Sequence, residues 1–181
     1  MANFSKDSIR CFDSASIIYY NAHFYPQSIY WSKKSLRHND SNAYSLAILA
    51  RSYQKLSSFQ NSIDCFEKLI KIDPKPENYL YLAESQYRLK RLMECIQTTM
   101  IAEQTPINYE YSYSYIDTSN RKNTTNIKSA LMNFRGLAYF DLGNYDEAEK
   151  SFEQALQYDP TFLLSNFNLS IVKQKKRSGQ N

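Results

Sequence analysis

Two stretches of the chain, one ending at Pro74 and the other at Pro160, place the same kinds of side chain at the same distances from their prolines. Leu46, Ala50, Tyr53, Ser62, Phe66 and Leu69 in the first correspond to Met132, Gly136, Tyr139, Ala148, Phe152 and Ala155 in the second. The spacing is that of two helices and the turn between them. A small residue in the first helix meets a small residue in the second, which lets the backbones approach closely, while the large aromatic residues fill the groove between neighbouring pairs. Both stretches close on Asp-Pro, at 73–74 and 159–160. Proline cannot continue a helix and biases the residue before it out of one. In "LGNYDEA", Gly143 supplies the turn, and the acidic residues after it suit the positive end of a helix.

This pattern resembles the tetratricopeptide repeat (TPR), a helix–turn–helix unit of about 34 residues. One unit earlier, Phe12, Ser16, Tyr19, Tyr25 and Ser28 fit the same frame. One unit later, "ENYLYLAESQYRLKRLMECIQTTMIAEQ" fits through Leu80 and Tyr87, its turn reading about a residue short, with Cys95 in the small position. The resemblance implies an all-α, right-handed α-solenoid forming a single TPR domain over 1–181. Its repeats are expected at about 9–42, 43–76, 77–110 and 129–162, with an insertion at 111–128 and a capping helix at about 163–176. It also accounts for Gly136. A glycine inside a helix costs about 1 kcal/mol relative to alanine, and the repeat needs a near-absent side chain at its helix crossing.

Composition narrows the chemistry. With 181 residues, 43% of them apolar, the chain suits one compact domain or a short solenoid. Three glycines argue against a glycine-loop nucleotide enzyme, and no apolar run approaches a membrane span. The start lacks the apolar core of a signal peptide. Cys11, Cys65 and Cys95, an odd set in apolar helical pattern, suggest reduced thiols and hence a cytoplasmic or nuclear setting. A net charge of +4, partly in the tail "KQKKR", is too small and too local for nucleic acid. His23 and His38 have no partner at zinc spacing. Asp146, Glu147, Glu149 and Glu153 read as a solvated helix face paired in part with Lys150. The expectation is a non-enzyme with no cofactor, no metal, no small-molecule substrate and no membrane association, acting through protein partners.

Two surfaces are candidates for those partners. In the TPR superhelix the first helix of each repeat lines the concave groove. That geometry selects Tyr20 and Asn21, then Tyr44, Arg51 and Lys55, then Tyr81 and Arg88, then Asn133 and Phe140. Aromatic surface interleaved with cations suits an extended peptide with acidic or aromatic anchors; alternatively the tyrosines cover neighbouring helices. The second surface is "NYEYSYSYID", where Tyr109, Tyr111, Tyr113 and Tyr115 alternate with polar residues at the period of a strand. Such a segment pairs with a partner's edge, lays aromatics across the convex surface of its own solenoid, or forms a polar loop.

The layout of three repeats, a polar insertion and a repeat carrying Arg135–Gly136, "QAL" (154–156) and Asp159 is similar to the N-terminal half of the TPR scaffold subunits of the anaphase-promoting complex. That resemblance implies a self-associating subunit of a ubiquitin ligase acting in the cell cycle. It would form a homodimer or larger multiprotein complex, with the groove clasping a partner copy around Phe4, Ile9 and Phe12. The alternative is a monomeric TPR adaptor of ciliary-transport or co-chaperone type that holds a partner's peptide. The TPR class that grips a chaperone's C-terminal carboxylate is disfavoured. Asn133 and Leu137 stand where it needs lysine and asparagine, and Ile48 where it needs asparagine.

Overall fold

Four helices end in the same backbone motif. They are α1 (Lys6–Asn21), α3 (Ala43–Lys55), α5 (Pro76–Arg88) and α7 (Ile127–Asp141). Each is followed closely by a second helix: α2 (Tyr25–Leu36), α4 (Phe59–Ile72), α6 (Leu92–Gln104) and α8 (Tyr145–Tyr158). At each turn one residue is left-handed: His23 (φ 64°), Ser57 (φ 56°), Lys90 (φ 59°) and Gly143 (φ 77°). Its N–H donates to the carbonyl three residues back, and the next N–H to the carbonyl five back. Gly143 and Asn144, for example, donate to Phe140 and Tyr139, each at 2.9 Å, and Lys90 and Arg91 to Tyr87 and Gln86, each at 2.9 Å. These paired bonds are the Schellman motif, which satisfies carbonyls that a helix end leaves open. The computed structural model describes residues 6–106, 112–117 and 119–178, without the side chains of residues 6–8.

The third turn is therefore of full length, contrary to the reading of its sequence. Cys95 follows Lys90 at the interval by which Ala148 follows Gly143. The missing residue lies at the junction before the turn. Pro76 starts α5 early, its fixed φ suiting the first position of a helix.

Contacts cluster the chain into two compact units divided after Pro74, where the sequence suggested one domain. In the first unit α2 packs on α1 and α3, and α4 on α3. Leu46, Ile63, Phe66 and Leu69 form its apolar core, beside fully buried Ser16, Ser28, Ser32, Ser35, Ser45 and Ser52. In the second unit α7 packs on α5, α6 and α8, and α9 (Leu163–Ser178) packs on α8 and α7. The small positions match across all four pairs. Ser16, Ala50 and Ala83 in the first helices are fully buried, as are Ser28, Ser62, Cys95 and Ala148 in the second. The fourth first-helix position is Gly136, where an added Cβ would lie 2.6 Å from the Phe152 ring.

The insertion finds its strand partner within itself. β1 (Ser112–Ile116) pairs antiparallel with β2 (Lys122–Asn126), with Tyr113 opposite Thr125 and Tyr115 opposite Asn123. The Asp117 carboxylate closes the turn, accepting from the N–H groups of Ser119 at 2.8 Å and Arg121 at 2.9 Å and from Asn123 Nδ2 at 2.9 Å. Asn126 ends β2 and caps α7, its side chain accepting from the Ser129 N–H at 2.8 Å.

Two expectations follow. Ser57 is exposed, so Ser57→Gly should raise stability by roughly 0.5–1 kcal/mol, whereas Gly143→Ala should cost about 1 kcal/mol although open space surrounds it, as read from urea midpoints. Gly136→Ala should lower stability by about 1–3 kcal/mol despite alanine's better helix propensity, because the Phe152 ring has to move.

Candidate protein-binding surfaces

In the first unit, residues spaced three and four apart on α1 share one face. Arg10, Asp13, Ser14, Ile17 and Ile18 line an open cleft of about 450 Å³ with Tyr44 of α3. Ile18 is 63% exposed and Tyr44 45%, so the cleft presents large apolar surface to solvent. The Asp13 carboxylate beneath it is engaged. Oδ1 accepts from Ser35 Oγ at 2.7 Å and Ser45 Oγ at 2.5 Å, and Oδ2 from Asn42 Nδ2 at 3.0 Å. These bonds tie α1 to α2 and α3. Burial, and secondarily the Asp13 charge, push the Tyr44 phenol up.

Of the residues selected from the sequence, Tyr44 stands on this cleft. Tyr20 packs edge-on to Tyr25 at 5.7 Å, Asn21 and Lys55 are exposed, and Arg51 is half-buried. The α1 residues of the cleft were missed, although their three-and-four spacing around Ile17 was a usable signal.

In the second unit the two candidate surfaces meet. Tyr113 of β1 lies 6.3 Å from the Tyr81 ring and 6.0 Å from Phe134. Its phenol hydrogen-bonds to Glu84, and burial, with that acceptor's charge, pushes it far up. Arg88 approaches Glu84 at 3.9 Å. Tyr115 packs edge-on to Phe162 at 4.9 Å, and its hydroxyl accepts from the Leu163 N–H at 3.4 Å. The base of the hairpin is held by Thr125 Oγ1 donating to Asp159 Oδ2 at 2.5 Å and by Asn126 Nδ2 donating to the Tyr158 carbonyl at 2.9 Å. Tyr113 thus meets the first helices α5 and α7, while Tyr115 sits at the entry to α9. Phe134 and Glu84 were not anticipated.

Two selected residues are not open surface. Asn133 is 4% exposed, and its Oδ1 accepts from Ser165 Oγ and Asn168 Nδ2, each at 3.0 Å, because α9 covers it. Phe140 packs against the cluster of Ala148, Phe152, Leu169 and Val172. Phe12, expected to engage a partner copy, is buried 5.8 Å from the Trp31 ring in its own helix pair. Tyr109, Tyr111 and Phe4 lie outside the described residues.

A family model of the tetratricopeptide repeat matches residues 43–76 and 130–162. The pairs α3–α4 and α7–α8 are tetratricopeptide repeats. The chain is 27% identical over 139 residues to intraflagellar transport protein 70A of Xenopus laevis, covering 70% of this chain and 21% of that protein. It is 31% identical over 146 residues to a TPR repeat-containing protein of Methanocaldococcus jannaschii, covering 78% and 24%. The chain therefore spans about a quarter or less of the length of these relatives. Among solved structures, MamA superposes with a TM-score of 0.79 at 16% identity over 95% of this chain and 84% of that one. The first TPR of Spaghetti (RPAP3), bound to the HSP90 peptide SRMEEVD, gives 0.60 at 23% identity over 75% and 94%. At these identities the superpositions speak for the TPR fold.

The repeats' reactive groups have structural roles. Burial pushes the Cys65 thiol up to about 11 and Cys95 to about 12, the opposite of what a thiolate nucleophile needs. His23 Nδ1 sits 2.9 Å from the Tyr25 hydroxyl, and His38 stacks on Phe12 at 5.9 Å. The acidic face of α8 pairs with the basic end of α9. Lys176 Nζ lies 2.6 Å from both Asp146 and Glu149, and Lys173 Nζ 3.1 Å from Glu153. Hydrogen bonds from Lys176 hold the Asp146 and Glu149 carboxyls below their ordinary values. Carboxyls depressed in the folded state stabilise it above their unfolded pKa values and lose that contribution as pH falls. Protection of α9 amides from hydrogen exchange should therefore drop between about pH 5 and 3, less steeply at high salt. In Lys176→Gln the drop should be blunted.

Proposed function

We propose that this chain is a non-catalytic protein-binding TPR segment that receives an extended stretch of a partner protein on the first helices of its repeats. The observation that carries this reading is the cleft between α1 and α3. It exposes Ile18 and Tyr44, while the Asp13 carboxylate in its lining is engaged by Ser35, Asn42 and Ser45. An open apolar cleft flanked by a guanidinium fits a partner segment with an apolar anchor and an acidic neighbour. Similarity to intraflagellar transport protein 70A over 70% of the chain supports placing it in an assembly of ciliary-transport type. The RPAP3 neighbour binds an HSP90 peptide, but the clamp reading is not favoured here. The position that would hold a carboxylate-gripping lysine is Asn133, which α9 engages.

The self-associating scaffold suggested by the repeat layout is the competing reading, and mass separates the two. Light scattering over a tenfold concentration range should give a monomer near 21.3 kDa; a stable mass near twice that value would favour the self-associating scaffold. Peptides selected from a random display library on the wild-type chain should lose at least tenfold in affinity on Ile18→Asp. Equal affinity on that variant would remove the cleft from the function.

A further inference from the structure

The hairpin lies on the first helices of the third and fourth repeats. Tyr81 and Phe134 occupy equivalent places in consecutive repeats, each nine residues before the left-handed residue of its turn, Lys90 and Gly143. Tyr81, Glu84 and Arg88 share one face of α5 by helical spacing. Tyr81 and Phe134 pack on the Tyr113 ring at 6.3 Å and 6.0 Å, and Glu84 accepts a hydrogen bond from its phenol, with Arg88 beside them. What fills this slot is one side chain on an extended strand whose neighbours, Ser112 and Ser114, point to solvent. That is how a strand-like peptide ligand engages a groove, through alternate side chains. The strand is held elsewhere. Tyr115 is anchored at Phe162 and Leu163, while Thr125 and Asn126 fasten β2 to the end of α8. A two-stranded hairpin has little stability of its own, so Tyr113 is kept in place by the slot and by these anchors.

We propose that Tyr81, Glu84, Arg88 and Phe134 form a tyrosine-reading site whose resident occupant is this chain's own Tyr113, and that a partner's extended, tyrosine-bearing segment binds there by displacing it. The site rests on the reading of first-helix faces as protein-binding, but not on the α1/α3 cleft. Occupancy in cis sets a threshold. A tethered side chain competes at an effective concentration of the order of millimolar, so a partner with a single tyrosine anchor is excluded. One whose flanking residues add contacts along α5 and α7 gains entry. The hairpin is thereby a selectivity filter built into the array.

The test uses the whole chain and a fluorescein-labelled peptide of residues 112–117. In Tyr113→Ala the slot is vacated while the remaining hairpin anchors stay. This variant should bind the peptide at least tenfold more tightly than wild type. A peptide carrying alanine at the Tyr113 position should bind neither, and Tyr81→Ala in the Tyr113→Ala background should abolish binding. Tyr113→Phe keeps the ring and loses the bond to Glu84; it should bind the peptide a few-fold more tightly than wild type, and it carries the test if Tyr113→Ala fails to fold. Equal affinity of the folded variant and wild type would overturn the proposal, as would the absence of binding to a folded variant at millimolar peptide. Adding Ile18→Asp should leave the peptide's affinity unchanged. Loss of binding on that change would place the peptide in the α1/α3 cleft, overturning this site and leaving the earlier reading intact.

Discussion

The approach of Gly136 to the Phe152 ring sets the terms for the rest of the fold. With a Cβ there the ring would be met at 2.6 Å, so only a bare backbone lets α7 and α8 come this close. The same crossing recurs with Ser16, Ala50 and Ala83, all fully buried. What faces it nine residues after each left-handed turn residue alternates along the chain: Ser32, Phe66, Thr99, Phe152. Where that residue is a phenylalanine, the pair is held by ring packing. Where it is serine or threonine, buried hydrogen bonds nearby tie neighbouring helices together.

These ties differ between the first and third repeats. In the first, Asp13 gathers Ser35, Asn42 and Ser45, so one carboxylate ties three helices. In the third, Arg135 reaches back from α7, its Nε donating to Thr99 Oγ1 at 3.0 Å and its Nη2 to Glu103 at 2.5 Å. Arg135 is 7% exposed, and such a charge is tolerated only because its donors are matched. Buried polar ties of this kind demand a particular geometry, which suits an array whose task is to hold a surface in shape.

Each unit presents a surface of its own character. On α1 and α3 it is open and apolar, with Ile18 and Tyr44 exposed. On α5 and α7 it is covered by the hairpin, whose Tyr113 fills the slot between Tyr81 and Phe134. Of the basic residues of α9, Lys173 and Lys176 are paired with the acids of α8.

Much of this was legible in the sequence because helix period, small residues at crossings and Asp-Pro stops are local or evenly repeated signals. They located the second and fourth repeats and identified Gly136 and Cys95 as packing positions. The left-handed residues at the other turns were hidden, because His23, Ser57 and Lys90 lack the glycine that advertises such a backbone. Asn133 and Phe140 looked like groove residues by position, yet α9 and the core beside it claim both, and no spacing within α7 reveals what a later helix will cover. The alternation of Tyr113 and Tyr115 announced a strand. Its pairing with β2, and the aromatic slot it enters, were decided by tertiary structure, because the slot is made from two helices that the insertion itself separates in sequence.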